Sequence, residues 1–167
     1  MKCLLPILLL VGSSSALAET WPKTIKKYSV INHKLTQAII TVESAGNRKA
    51  VSSVGAKGLM QVTKIAVRDI IAHRNILPAR CKRITLKTNL FRASSNILAG
   101  SCYFKLLEVY VGSSWYYRVA SYNAGPGRVD RWKKGKSKLP KETTDYLIKV
   151  NSELRKLNYP EGDVPCR

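Results

Sequence analysis

This sequence has few acidic residues, few histidines and no long apolar run. It contains 10 Asp and Glu against 29 Lys and Arg, and only two His and four Cys in 167 residues. The two histidines, His33 and His73, stand apart from each other, and no cysteine spacing matches a metal site. We therefore expect neither a bound metal nor a cofactor.

The apolar stretch at the N-terminus is too short to cross a bilayer. Lys2 precedes an apolar run over residues 4–11, and the small residues at 16–18 resemble a cleavage site. The pattern predicts a secretory signal peptide over residues 1–18, followed by a single domain at 19–158 and a short tail at 159–167. We expect the processed protein to be periplasmic or secreted, without a transmembrane segment.

The formal charge of +19 indicates an anionic partner. Nucleic acid, a membrane surface and a polyanionic cell wall all satisfy this condition. Predicted export argues against nucleic acid, and no base-stacking or groove-reading motif is evident. Peptidoglycan carries carboxylates on its peptides, so a cell-wall partner fits. The alternative is that the charge serves solubility and non-specific adhesion.

Apolar periodicity predicts a mainly α-helical domain with at most a minor β element. We expect helices over residues 32–45, 64–75 (capped by Thr63), 91–111, 114–124, about 128–133 and 140–158. The helix at 91–111 is apolar on most of its surface, including Val109, so it is expected at the centre of the core. Its polar stripe is Ser94, Ser101, Lys105 and Glu108. Residues 78–88 are irregular, and 83–86 alternate weakly like a short strand.

Three cysteines, Cys81, Cys102 and Cys166, follow the predicted signal peptide. Export to an oxidising compartment makes a disulfide plausible. We favour Cys81–Cys102, which would tie the irregular segment to the core helix. The sequence permits all three pairings.

Glu43 is the acidic residue whose position favours chemistry. It follows an apolar helical stripe formed by Leu35, Ala38, Ile39 and Val42. A carboxyl at the edge of such a stripe and at a helix C-terminus is favoured in its neutral form, which suits a proton donor. Residues 44–68 contain no acid but five basic residues. The alternative is a capping or ion-paired surface glutamate, which is the usual fate of this residue type.

Three ordered motifs resemble the soluble lytic transglycosylase domain. They are ES-x-G-N beginning at Glu43, GAKGLMQ at residues 55–61 and YNAGPG at residues 122–127. The resemblance covers roughly residues 30–150. It implies a lysozyme-like fold of the goose-lysozyme/transglycosylase type. It also implies cleavage of the β-1,4 bond between MurNAc and GlcNAc in peptidoglycan, with formation of a 1,6-anhydro-MurNAc end.

The resemblance also implies roles for individual residues. Glu43 matches the catalytic acid and base. The expected substrate-binding residues are Ser44, Met60, Gln61, Tyr122, Asn123, Glu142 and Tyr146, together with Ser52, which precedes a glycine turn. Structural alternatives stay open for several: Tyr122 and Met60 could be core residues, and Glu142 could favour a helix N-terminus.

Two-carboxylate glycosidases need a second Asp or Glu, and the internal choices here are Asp69, Glu108, Asp130, Glu142 and Asp145. The resemblance implies instead that one glutamate serves as both acid and base. Two other functions remain as alternatives: a hydrolytic lysozyme and a non-catalytic cationic wall-binding protein. The chain also resembles small specialised transglycosylases that accompany secretion, conjugation or pilus systems, so components of such an apparatus are candidate partners.

Overall fold

The computed structural model describes the backbone of residues 14–159 and the side chains from Trp21 to Tyr159. Most of the predicted signal peptide, nearly all of the C-terminal tail and Cys166 therefore lie outside the described residues. The predicted cleavage site at 16–18 falls on the backbone of the first helix, and processing there stays a prediction.

Seven α-helices and one short 3-10 helix make up the described part of the chain. They are α1 (Ser14–Tyr28), α2 (His33–Ser44), α3 (Lys64–Ala72), the 3-10 helix (Ala79–Arg83), α4 (Ala93–Val111), α5 (Trp115–Ala124), α6 (Pro126–Lys133) and α7 (Lys141–Lys156). Between residues 14 and 159 there is no named strand, only two isolated antiparallel bridges that pair Lys57 with Val51 and Val62. The prediction of a mainly α-helical domain is confirmed.

Side-chain caps explain where two of the helices begin. Asn32 Oδ1 accepts hydrogen bonds from the backbone N–H groups of Lys34 and Leu35, at 2.9 and 3.4 Å. Thr63 Oγ1 accepts one from the N–H of Ala66 at 3.1 Å, as the sequence predicted. Each cap satisfies N–H groups that have no partner within the helix. Both starts are thus encoded locally.

Helix α4 forms the centre of the core, as predicted. Its buried side chains include Ile97, Leu98, Cys102, Phe104, Leu106 and Leu107, and it packs against α1, α3, α5 and α6. Helix α7 lies across α2 and α5. Within residues 14–159, no helix combines the length and apolarity needed to cross a bilayer.

Three details of the sequence interpretation are wrong. Ser101, expected on the polar stripe of the helix, is fully buried. Its burial is tolerated because its hydroxyl accepts a hydrogen bond from the Val30 N–H at 3.2 Å and donates one to the Leu98 carbonyl at 3.1 Å. Val109, counted among the apolar core positions, is 58% exposed. The expected strand at 83–86 is instead the end of the 3-10 helix followed by a turn, in which only Ile84 is buried.

Cys81 of the 3-10 helix and Cys102 of α4 form a disulfide, and both residues are fully buried. This is the pairing favoured from the sequence. The bridge joins residues 21 positions apart and anchors the irregular segment between α3 and α4 to the core. Closing a loop of that size restricts the unfolded chain.

We predict that Cys81→Ala combined with Cys102→Ala lowers the free energy of unfolding by about 3 kcal/mol, because the unfolded chain regains the freedom that the crosslink removes. Urea denaturation monitored by circular dichroism measures this difference. A reducing agent should weaken the wild-type protein by a similar amount and leave the double variant unchanged. Equal stability of the two proteins under oxidising conditions would contradict the prediction.

Candidate functional site

Glu43 is the penultimate residue of α2, close to the point where the chain leaves the helix. The helix ends because Ala45 adopts a left-handed conformation with φ of 48°, while its N–H still bonds to the Thr41 carbonyl at 3.0 Å. The Glu43 side chain is partly buried. The predicted position at a helix C-terminus is therefore observed.

Tyr146 of α7 makes a direct contact with Glu43. Its hydroxyl donates a hydrogen bond to Glu43 Oε1 at 2.7 Å, and the residue is only 6% exposed. Since α2 and α7 pack closely together, this hydrogen bond lies in an environment with little water. One oxygen of the carboxyl group is thereby oriented by a rigid aromatic side chain.

The surroundings raise the pKa of Glu43 from its ordinary value of 4.5 to about 7. Burial is the largest cause, since it penalises the charged form. The Tyr146 hydrogen bond opposes this by stabilising the carboxylate, and the negative charge of Glu142 raises the pKa further. Both protonation states of Glu43 are consequently accessible near neutral pH.

Tyr122 of α5 lies on another side of the same site. Its hydroxyl donates to the backbone carbonyl of Met60 at 2.8 Å. Burial raises the pKa of Tyr122 well above its ordinary value, and the nearby charge of Glu43 adds to the effect. The tyrosine thus connects the Glu43 region to the loop that carries Met60.

That loop, residues 45–63, has no helix and is clamped by Asn96 of α4. Asn96 is fully buried: its Oδ1 accepts from the Met60 N–H at 2.8 Å, and its Nδ2 donates to the carbonyls of Lys57 and Leu90 at 2.7 and 2.8 Å. Sequence reasoning missed this residue. The available signal was a lone amide inside an otherwise apolar helical segment.

Two glycines permit the loop to approach α4 so closely. A Cβ atom at Gly58 would lie 2.3 Å from the Leu90 carbonyl oxygen and 2.4 Å from Asn96 Nδ2. The φ angle of Gly58 is +74°, which residues other than glycine rarely adopt. A Cβ atom at Gly100 would lie 2.6 Å from Met60 Sδ. A side chain at either position would force the loop away from α4.

Four of the predicted substrate-binding residues shape this loop through internal contacts. Met60 is fully buried and contributes its backbone carbonyl to Tyr122. The side-chain amide nitrogen of Gln61 donates hydrogen bonds to the carbonyls of Gly58 and Ala50, at 2.9 and 3.3 Å. Its side-chain oxygen is left as an acceptor. The hydroxyl of Ser44 donates to the Leu59 carbonyl at 2.8 Å, and that of Ser52 accepts from the Ala56 N–H at 3.1 Å.

The remaining predicted residues lie where α5 meets α7. Asn123 Oδ1 accepts a hydrogen bond from the hydroxyl of Thr143 at 2.8 Å, and Thr143, which the sequence did not single out, is buried. Glu142 is exposed in the first turn of α7, near enough for its charge to affect Glu43. The structure thus brings Tyr146, Tyr122 and Glu142 around Glu43.

The other acids considered from the sequence are engaged elsewhere. Glu108 pairs with Lys105 and Arg118, Asp130 with Lys134, and Asp145 with Lys141. Asp69 accepts from the Tyr110 hydroxyl at 2.7 Å and lies 3.1 Å from His73 Nδ1. In the part of the chain that the structure describes, no group of three His, Cys, Asp or Glu residues is arranged to hold a metal ion.

Glu43→Gln is expected to stabilise the fold at neutral pH. Below about pH 4.5 the carboxyl is protonated whether or not the chain is folded, so wild type and variant should be similar. Between about 4.5 and about 7 the unfolded chain releases a proton that the folded chain keeps, so wild-type stability falls relative to the variant. Above about 7 the difference should level off on the order of 3 kcal/mol.

Urea denaturation across this pH range measures the difference. Glu153→Gln, in which the lost carboxylate is ion-paired with Lys156, is the matched control and should show no such gain. A pH-independent difference for Glu43→Gln would contradict the raised pKa.

We predict opposite pKa shifts from the two α7 residues beside Glu43. Tyr146→Phe removes a hydrogen-bond donor that stabilises the carboxylate, so the pKa of Glu43 should rise above about 7. Glu142→Gln removes a neighbouring negative charge, so the pKa of Glu43 should fall. Carboxyl-carbon NMR titration measures both. Tyr110→Phe, whose hydroxyl bonds Asp69, should leave Glu43 unshifted. Shifts in the same direction for the two α7 variants would show that the assigned causes are wrong.

Comparison with known proteins places this geometry in a family context. The family model described as the transglycosylase SLT domain matches residues 19–144. The soluble lytic murein transglycosylase of Salmonella typhimurium is 33% identical over 102 residues, which is 61% of this chain and 15% of that protein. Membrane-bound lytic murein transglycosylase C of Yersinia enterocolitica is 35% identical over 119 residues, which is 65% of this chain and 31% of that protein.

Solved structures show the same fold. The 70 kDa soluble lytic transglycosylase of Escherichia coli superposes with a TM-score of 0.69 and 27% identity, covering 86% of this chain and 25% of that one. An inactive glutamate-to-glutamine mutant of lytic transglycosylase Slt from Pseudomonas aeruginosa superposes with a TM-score of 0.65 and 28% identity. That match covers 87% of this chain and 25% of the other. The chain thus spans only a fraction of these relatives, and its predicted lysozyme-like fold is confirmed. Since the family model covers most of its length, the chain belongs to the transglycosylase SLT domain family.

Proposed function

We propose that this protein is a peptidoglycan lytic transglycosylase in which Glu43 is both the catalytic acid and the catalytic base. The observation that carries the proposal is the partly buried Glu43 carboxyl, hydrogen-bonded by Tyr146 at 2.7 Å and with its pKa raised to about 7. A general acid or base works best when its pKa lies near the working pH. Family membership supplies the substrate class, since its relatives are named murein transglycosylases.

In the first half of the proposed reaction, neutral Glu43 donates its proton to the glycosidic oxygen between MurNAc and GlcNAc. The bond from this oxygen to C1 of MurNAc breaks, and positive charge develops at C1. The substrate's own N-acetyl group stabilises that charge. Burial of Glu43 favours this step because it keeps the carboxyl protonated at pH values where an exposed glutamate is ionised.

In the second half, the Glu43 carboxylate accepts the proton of the MurNAc C6 hydroxyl. The C6 oxygen forms a bond to C1, which closes the 1,6-anhydro ring and restores neutral Glu43 without consuming water. The Tyr146 hydrogen bond favours the carboxylate form that this step requires. One residue can therefore serve both steps, because burial and the hydrogen bond act on its pKa in opposite directions.

The surrounding residues position the acid and form the proposed binding surface. Tyr122 and the Met60 carbonyl it holds fix the loop beside Glu43. We propose that the free side-chain oxygen of Gln61 and the side chains of Asn123 and Glu142 meet the glycan. The internal hydrogen bonds of Ser44 and Ser52 favour a role in loop geometry for these two residues.

A hydrolytic lysozyme is the second candidate, and Glu142 is the observation that favours it. Its charge acts on Glu43, so a second carboxylate is available to activate water, as in two-carboxylate glycosidases. Against this, no hydrogen bond is found between the two side chains in the described residues, and Glu142 is exposed. The reaction product distinguishes the two enzymes. A third candidate, a non-catalytic cationic wall-binding protein, would not need a carboxyl with a raised pKa.

The predicted signal peptide and the basic composition support a periplasmic or secreted location, at the cell wall. We further propose that the enzyme opens the wall locally for a secretion, conjugation or pilus apparatus. This rests on the resemblance of the chain to specialised transglycosylases. Deleting the gene should impair assembly of one such apparatus; normal assembly of all of them would contradict this role.

Digestion of purified sacculi followed by mass spectrometry tests the reaction. The wild-type protein should release muropeptides with 1,6-anhydro ends, each lighter by one water than the reducing ends that a hydrolase leaves. Glu43→Gln should lower the rate at least about a hundredfold, because it cannot donate or accept the proton.

Glu153→Gln, an equal chemical change at the far end of α7, is the control and should retain wild-type activity. Reducing ends from the wild type, together with strong loss in Glu142→Gln, would establish the hydrolase instead. Binding of sacculi without any released product would establish the wall-binding protein.

A further inference from the structure

A polar cavity of about 310 Å³ lies between the end of α1, the turn after the 3-10 helix and the start of α4, and its lining includes none of the residues described around Glu43. Two arginines, Arg83 and Arg92, line it. Five hydroxyl-bearing residues also line it: Tyr28, Thr85, Thr88, Ser94 and Ser95. These residues take no part in the proposed reaction.

Among the residues whose side chains the structure describes, the two guanidinium groups have no acidic partner. No Asp or Glu from residues 21–159 lines the cavity, and the sequence contains none from residue 70 to residue 107, where seven Lys and Arg occur. Within residues 21–159, neither Arg83 nor Arg92 has a hydrogen-bonded or ion-paired side-chain partner, unlike Arg118, which pairs with Glu108. Arg80 of the same 3-10 helix instead donates to the Lys27 carbonyl. No described acidic side chain therefore compensates the positive charge of the cavity.

The hydroxyl groups of the cavity are also able to donate hydrogen bonds to a ligand. Thr88 Oγ1 already accepts from the Thr85 N–H at 2.9 Å, and Thr85 Oγ1 accepts from the Lys87 N–H at 3.3 Å. Their hydrogens remain available, since a hydroxyl both donates and accepts. A cavity with two guanidinium groups and several hydroxyl donors, and with no carboxylate from the described residues, favours an anion rich in acceptor oxygens.

The frame of the cavity is held rigidly by buried contacts. Ile84 and Leu98, which are 2% and 5% exposed, are the aliphatic residues of its lining. The Cys81–Cys102 disulfide fixes the segment just before Arg83, and the Leu90 carbonyl just before Arg92 is bonded by Asn96 at 2.8 Å. The two arginines are thus attached to backbone that needs no large rearrangement before a ligand binds.

A second cavity, of about 320 Å³, adjoins the first across Thr85 and Thr88. Lys57, Lys64 and Arg68 line it, and no acidic residue between 21 and 159 does. These side chains extend the positive potential beyond the arginine pair. An anionic group in the first cavity can therefore be part of a larger ligand.

We propose that the cavity bounded by Arg83 and Arg92 is a binding site for a phosphate group carried by a larger molecule. Arginine forks bind phosphate with paired hydrogen bonds, and a phosphate offers more acceptor oxygens than a carboxylate does. The volume exceeds that of a phosphate ion alone, so an ester substituent also fits. The phosphate belongs either to a soluble sugar phosphate or to an anionic phospholipid headgroup.

Calorimetric titration with inorganic phosphate tests the site directly. Arg83→Gln combined with Arg92→Gln should weaken binding by at least about tenfold, since charge-assisted hydrogen bonds are lost. Arg74→Gln combined with Lys82→Gln is the matched control: it removes the same charge from exposed positions outside the cavity and should bind phosphate like the wild type. Melting temperature and cleavage of sacculi should be similar in all three proteins.

Two further measurements identify the ligand. Acetate should compete poorly with phosphate in the wild type; equal competition would overturn the preference for phosphate. Vesicles containing phosphatidylglycerol, bound by the wild type and the control but not by the cavity variant, would assign a lipid headgroup. Binding of glucose 1-phosphate with the same dependence on the arginines, and vesicle binding that is equal in all three proteins, would assign a soluble ester. Absence of phosphate binding, or equal loss in both double variants, would refute the site.

Discussion

The hydrogen bond between Tyr146 and Glu43 is the interaction on which the proposed active site depends. It joins side chains 103 residues apart, at the contact between α2 and α7. Without α7 above it, Glu43 would stand at an exposed helix end and ionise like an ordinary glutamate. Burial alone would hold the carboxyl in its neutral form, whereas the tyrosine makes the carboxylate form accessible as well. Packing of these two helices therefore decides whether a single carboxyl can move a proton in both directions.

The loop beside Glu43 depends on a second, equally non-local constraint. Residues 45–63 form no helix, yet the segment is held by a fully buried amide on α4. A buried polar group is costly unless its hydrogen bonds are made, and Asn96 makes three. The glycine at position 58 is required because any side chain would collide with that amide. Once the loop is fixed in this way, Tyr122 can bond the Met60 carbonyl and close the site on the side of α5.

Local sequence patterns predicted those features of the structure that depend on neighbouring residues in the chain. The apolar spacing in α2 and α4, the cap at Thr63 and the break after α5 all correspond to observed elements. The same reasoning failed where a residue's environment comes from a distant segment. Ser101 is buried because the chain entering α2 supplies an N–H partner at Val30, and no helical period can reveal that. The weak alternation at 83–86 reflects one anchoring residue, Ile84, in a turn.

The sequence by itself determined the helical class of the protein, the family to which it belongs and the identity of its candidate acid, since these are encoded in periodicity, composition and short ordered motifs. Only the tertiary structure decided that Tyr146 and Glu142 flank this acid, that Asn96 holds the neighbouring loop, and that two arginines face a cavity without a carboxylate. The physical reason is that the pKa of a carboxyl and the pairing of a charge depend on burial and on through-space neighbours. Those neighbours come from parts of the chain that only folding brings together.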